Sequence, residues 1–183
     1  MGIIPSKILN ALNNRKETHL FRNLSVYKAG VDFISNDYLG FSKLGLLHQQ
    51  FSESFSDQNF LSGSSGSRLI SGNSEFKEVT EKEIALFHHS EAALLFNSGY
   101  DANIGLLSSV PQKNDLVISD ELIHASIYDG IRLSYAKHYK FAHNQVNDLE
   151  DLINRHKQSF ENIYVVVESI YSMDGDAAPL KEI

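Results

Sequence analysis

Apolar residues recur at helical spacing through residues 7–22, with Ile8, Leu9, Leu12 and Leu20 on one side, and this predicts a short amphipathic helix. Val31-Asp-Phe-Ile34 reads as a brief strand and Asn36-Asp-Tyr-Leu-Gly40 as the turn after it. A second helix is predicted over 43–55, carrying Leu46, Leu47, Phe51 and Phe55. Residues 63–73 are too rich in Gly and Ser to form a regular element. From residue 75 the pattern alternates. A helix over 75–89 has Ser74 as its cap, with Lys77 where a capping-box Glu would stand, so half of that signal is present. An apolar run over 92–96 predicts a strand, followed by a helix over 98–110. Leu116-Val-Ile118 with a helix over 123–135, and His138-Tyr-Lys-Phe141 with a helix over 146–158, repeat the unit. Residues 163–167 supply a fourth strand. Short apolar runs alternating with helices predict α/β architecture with a mainly parallel sheet.

The expected organisation is a helix-and-strand segment over 1–42 and the first part of a larger α/β domain over 43–183. Residues 174–183 read as a loop entering a further helix where the sequence stops, so the domain is expected to be incomplete at its C-terminus.

Composition narrows the chemistry. The 183 residues are 42% hydrophobic and 21% charged, an ordinary globular balance. Lys plus Arg total 16 against 23 Asp plus Glu, a net charge of −7, and no basic run exists to grip a phosphate backbone, so nucleic acid is not an expected partner. The absence of Cys excludes disulfides, thiolate metal sites and a cysteine nucleophile. No basic-then-apolar leader and no apolar stretch of membrane-spanning length is visible, and a cytoplasmic protein without membrane contact is expected.

Phe96-Asn-Ser-Gly-Tyr100 follows an apolar run and opens a helix. Free N–H groups and the positive dipole end suit a phosphate there, with Ser98 adding a hydroxyl and Gly99 admitting close approach. Taken alone, the segment reads first as a plain strand–helix turn. His124 follows the next strand, at the carboxyl edge where ligands sit in doubly wound sheets, and could stack on a planar group or move a proton. Packing at a helix start explains it equally well. Glu168 and Ser172 fall past the fourth strand, on the same rim if the strands are parallel. His88 and His89 point about 100° apart on a helix, which argues against one shared metal ion and for a polar helix end. His138, His143 and His156 show no ligand spacing and read as surface or core residues. No nucleophile elbow is present, and no lysine has the apolar or small-residue setting a Schiff base needs.

Six blocks in order carry a resemblance: Asn36-Asp-Tyr-Leu-Gly-Phe-Ser42, residues 63–72, Phe96-Asn-Ser-Gly-Tyr100, Asp120-Glu-Leu-Ile-His-Ala-Ser126, His143-Asn144 and residues 168–176. Together the chain resembles the α-oxoamine synthases, pyridoxal-phosphate enzymes of fold type I, from about Ile8 to Ile183. The resemblance implies the major domain of a PLP-dependent transferase. It implies that Ser98, Gly99 and Tyr100 take the cofactor phosphate, that His124 stacks over the pyridine ring and touches substrate as a catalytic residue, and that Glu168 and Ser172 line the cofactor pocket. Arg22 falls where the family places an arginine near the substrate, and Asn36 would approach from the other subunit of a homodimer. The implied reaction condenses an amino acid with an acyl-CoA, releasing CoA and carbon dioxide to leave an α-amino ketone. The members most alike use L-alanine and pimeloyl-CoA in biotin synthesis, and glycine- or serine-using members share most of these blocks. Ser65 stands where members often carry a second consecutive Gly. The family's Schiff-base lysine, its pyridinium-pairing Asp, its second ring-contacting His and its small domain have no counterpart in these residues, so the chain by itself is expected to be inactive. A non-catalytic protein that binds a partner subunit or ligand is the alternative of another class.

Overall fold

A computed structural model of the chain describes residues 4–24, 26, 30–55 and 63–183. The chain divides into two compact units, Met1–Ser62 and Gly63–Ile183.

The first unit holds α1 (Ser6–Glu17), α2 (Phe41–Leu44) and α3 (Leu46–Phe55). The α1 helix stops short of the predicted residue 22 because His19 enters the left-handed region at φ 57° and Leu20 N–H returns to Arg15 O at 2.8 Å. The predicted strand at 31–34 does not form. The Asp32 carboxylate accepts the N–H groups of Ile34 at 3.1 Å and Ser35 at 3.0 Å, and that local turn competes with strand pairing. The single helix predicted over 43–55 is two helices, broken at Gly45 with φ 64°.

The second unit begins with a π-helical turn (Arg68–Gly72) inside the Gly/Ser-rich segment, then α4 (Glu75–Phe87), capped by Ser74 Oγ accepting from Lys77 N–H. It continues with α5 (Gly99–Ser109), β1 (Leu116–Asp120), α6 (Ala125–Leu133), β2 (Lys137–Phe141), α7 (Val146–His156) and β3 (Ile163–Val166). The sheet is parallel throughout in the order β2-β1-β3, as the alternating pattern requires. The predicted strand over 92–96 is absent from it. Its Leu95 N–H donates to Glu81 Oε1 at 2.8 Å, and none of the three strands pairs with it.

The central strand explains the core. All five residues of β1 are buried. Leu116 and Ile118 face Phe141, Leu149 and Leu152, while Val117 on the opposite face meets Leu107, Ile127 and Ile131. Thus α7 covers one face, and α5 with α6 covers the other. The α5–α6 approach is close: a Cβ on Gly130 would stand 2.8 Å from Asn103 O and 3.0 Å from Leu107 Cβ. Parallel strands place every βα turn at one rim, where the second unit collects its polar groups. Among the described residues, no helix is long and apolar enough to cross a membrane, and no group of three His, Asp or Glu could hold a metal ion.

Candidate functional site

Ser98 is extended at φ −154° and ψ 160°, so its carbonyl receives Ala102 N–H at 3.0 Å and its Oγ receives Asp101 N–H at 3.0 Å. Among the described residues, the first-turn N–H groups of Gly99 and Tyr100 have no acceptor. A Cβ at Gly99 would meet nothing within 4 Å, so the helix start is open to an incoming group. Beside it lies a cleft of about 550 Å³ lined by Arg68, Lys77, Phe96, Asn97 and Asp101, among others.

The strap leading into α5 is tied down by one carboxylate. Glu81 accepts Arg68 through both guanidinium branches, at 2.5 and 2.9 Å, as well as Leu95 N–H. Arg68, then the Leu95 amide, hold the Glu81 carboxyl down to about 2.

Next to α5 stands His124, the N-cap of α6. Its backbone N–H donates to the Glu168 carboxylate after β3. Asn103 Nδ2 donates to Ser126 Oγ at 2.9 Å, and Ser126 Oγ lies 2.7 Å from His124 Nδ1, which also accepts Ser126 N–H at 3.2 Å. An accepting Nδ1 places the ring proton on Nε2. The Tyr100 ring meets the imidazole edge-on at 6.1 Å between centroids, and its hydroxyl donates to Asp129 at 2.6 Å, which raises the phenol above its ordinary value.

The structure therefore brings Ser98, Gly99, Tyr100, His124 and Glu168 to one rim. Ser172 lies in the exposed loop after β3. Arg22, in the irregular stretch beyond α1, and Asn36, in the turn before α2, belong to the first unit and are exposed.

Sequence reasoning missed a second cluster. His143, read as a surface or core residue, lies with Nδ1 2.9 Å from Asp120 Oδ1 and Nε2 2.8 Å from Asp176 Oδ2. Burial works to raise the Asp120 carboxyl, but the amides of Asn144 and Leu122, with His143, hold it below the usual carboxylate range. The available signal was positional: Asp120 ends one strand, His143 follows the next, and Asp176 lies in the loop past the third.

A family model described as aminotransferase class I and II matches residues 28–183. An 8-amino-7-oxononanoate synthase from Emericella nidulans is 42% identical over 94% of this chain and 44% of its own length. A serine palmitoyltransferase from S. paucimobilis, whose solved structure carries PLP and myriocin, aligns with a TM-score of 0.78 and 28% identity over 96% of this chain and 48% of that one. The crystal structure of an 8-amino-7-oxononanoate synthase from Francisella tularensis gives a TM-score of 0.65 at 30% identity, over 83% of this chain and 41% of that one. The chain spans about half the length of the curated relatives it matches.

Proposed function

The chain belongs to the aminotransferase class I and II family, with the fold of the type I PLP-dependent transferases, and from that premise we propose that the whole protein is an acyltransferase condensing L-alanine with a pimeloyl thioester. The observation that carries the cofactor part is the open start of α5, where two unengaged backbone amides and the positive helix end await an anion. The donor set fits a phosphate monoester: the N–H groups of Gly99 and Tyr100, with Ser98 beside them.

When bound there, PLP supplies an electron sink for the amino acid's α-carbon. The chain's own residues hold and shield it. Gly99 and Tyr100 bind the phosphate through their amides. His124 presents its ring beside that anchor, with Nδ1 held by Ser126 and Ser126 in turn by Asn103, which leaves its Nε2–H for the substrate. Glu168 holds the His124 amide, and Ser172 bonds the cofactor from the loop after β3. Arg22 pairs with a substrate carboxylate, and Asn36 serves the site of the other subunit in a homodimer. The Schiff-base lysine is assigned to a region outside these 183 residues.

The alanine reading is supported by curated relatives named 8-amino-7-oxononanoate synthase at 42% identity. A serine-using reading has its own support, a Sphingomonas wittichii serine palmitoyltransferase 38% identical over 73% of this chain. Steady-state CoA release by the full-length protein with alanine, serine or glycine decides between them, and a preference for serine would overturn the alanine reading. The 183-residue chain alone, given PLP, alanine and pimeloyl-CoA, is expected to show no sustained CoA release. Borohydride trapping of PLP on one of its own lysines would contradict the assignment of that lysine elsewhere.

A further inference from the structure

The loops after β1, β2 and β3 are joined by side chains that the phosphate-binding start of α5 does not use. Asp120 is 0% exposed at the end of β1 and accepts Leu122 N–H at 2.8 Å, Asn144 N–H at 2.9 Å and His143 Nδ1 at 2.9 Å. On its other side His143 Nε2 meets Asp176 Oδ2 at 2.8 Å, and Asn144 Nδ2 reaches the same oxygen at 2.9 Å. A carboxylate only accepts, whereas a neutral imidazole has a single N–H: protonated on Nε2 it turns a lone pair to Asp120, and protonated on Nδ1 it turns one to Asp176, with Asn144 Nδ2 at 3.2 Å as the donor left to it. The doubly protonated ring satisfies both with charge-assisted bonds.

Asp176 is also the closing residue of a tight turn. Tyr171 N–H donates to Asp176 O at 2.8 Å, and Gly175 N–H donates to Tyr171 O at 2.8 Å, so Ser172 lies within the loop that Asp176 closes. Tyr171 is 1% exposed and packs edge-on to His143 at 4.6 Å. We propose that His143, as an imidazolium bridging Asp120 and Asp176, is a positioning residue that pins the loop carrying Glu168 and Ser172 to the carboxyl rim of the sheet. Its effect on cofactor binding rests on the PLP reading above; the bridge itself does not.

The groups around His143 are Asp120 of β1, Glu121 (whose Oε1 accepts His143 N–H at 3.1 Å), Asp148 of α7 (which accepts Ala142 N–H at 2.8 Å), and Asp176 with Tyr171 from the loop after β3. Four are acids and none is a cation. Bonds to Asp120, then Asp176, raise the ring above an ordinary histidine. The clamp is therefore fully present below the ordinary histidine value and is lost as pH rises through the raised one.

The test is nitrogen-15 NMR of the imidazole groups in the 183-residue chain, assigned through bonds. Expected are imidazolium shifts at both His143 nitrogens at neutral pH. In Asp176→Asn the carboxamide can pair with either ring form, so the midpoint falls toward that of an exposed histidine. Amide exchange at Tyr171 and Gly175, whose N–H groups close the turn, rises about tenfold, the order of one lost charge-assisted bond. A neutral His143 ring in the parent chain overturns the proposal without any variant, and so does an unchanged midpoint in Asp176→Asn. Equilibrium dialysis of the full-length protein and its Asp176→Asn variant against PLP across pH gives the second arm. Affinity should fall through the His143 midpoint in the parent and lose that dependence in Asp176→Asn. PLP affinity that ignores the titration refutes the positioning role. No PLP binding by the full-length protein at any pH refutes the cofactor reading instead, and the NMR result still decides the bridge.

Discussion

The helices α5 and α6 both begin on the carboxyl rim, yet their first turns are finished differently. At α6 the protein supplies its own anion: Glu168 accepts His124 N–H, and His124 Nδ1 accepts Ser126 N–H. At α5, Ser98 satisfies Asp101, while Gly99 and Tyr100 find no acceptor among the described residues and a Cβ on Gly99 would meet open space. Neighbouring helix ends carry the same dipole. What separates the two ends is that the fold delivers a carboxylate from another loop, Glu168, to the start of α6 and none of the hydrogen bonds among the described residues does so at α5.

That contrast depends first on the close approach of the two helices. Gly130→Ala drives a methyl toward Asn103 O and Leu107, and should cost about 1 to 3 kcal/mol in thermal or denaturant unfolding. An unchanged midpoint would mean that the helices can separate without loss. Ser98→Ala removes the cap of α5 and should cost about 1 kcal/mol. It should also weaken retention of PLP in dialysis, whereas Ser74→Ala at α4 should lower stability similarly and leave retention alone. Glu168→Gln takes the anion from α6 and should cost about 0.5 kcal/mol in low salt. If α6 then binds inorganic phosphate, the difference between the helix ends lay in that one carboxylate. The smallest effect is expected from acid. Asp120 has a depressed carboxyl, so its contribution is full above the ordinary carboxylate value and is lost as pH falls through the lower folded value. Unfolding midpoints followed below about pH 4 should decline in the parent and more gently in Asp120→Asn.

The α/β alternation was legible because β1 is buried on both faces, so Leu116-Val-Ile118 reads as an uninterrupted apolar run. The cap at Ser74 and the opening of α5 at Ser98 were legible because capping is local chemistry. The strand expected over 92–96 fails for the opposite reason. An apolar run becomes a strand only where a neighbour accepts its amides, and here Glu81, 14 positions earlier, takes Leu95 N–H instead. The strand expected over 31–34 yields to a side chain two residues away. The His143 cluster was invisible to spacing within the sequence because its acids lie 23 and 33 positions away.

By itself, the sequence determined the alternation of strand and helix, the parallel sheet that follows from it, and the polar residues delivered to its carboxyl rim. Each of these depends on local periodicity or on a turn a few residues long. Tertiary structure alone decided which helix end is occupied, which histidine is held between two acids, and which apolar run joins the sheet. Those outcomes depend on partners brought together by the sheet order β2-β1-β3, and no local pattern encodes that pairing.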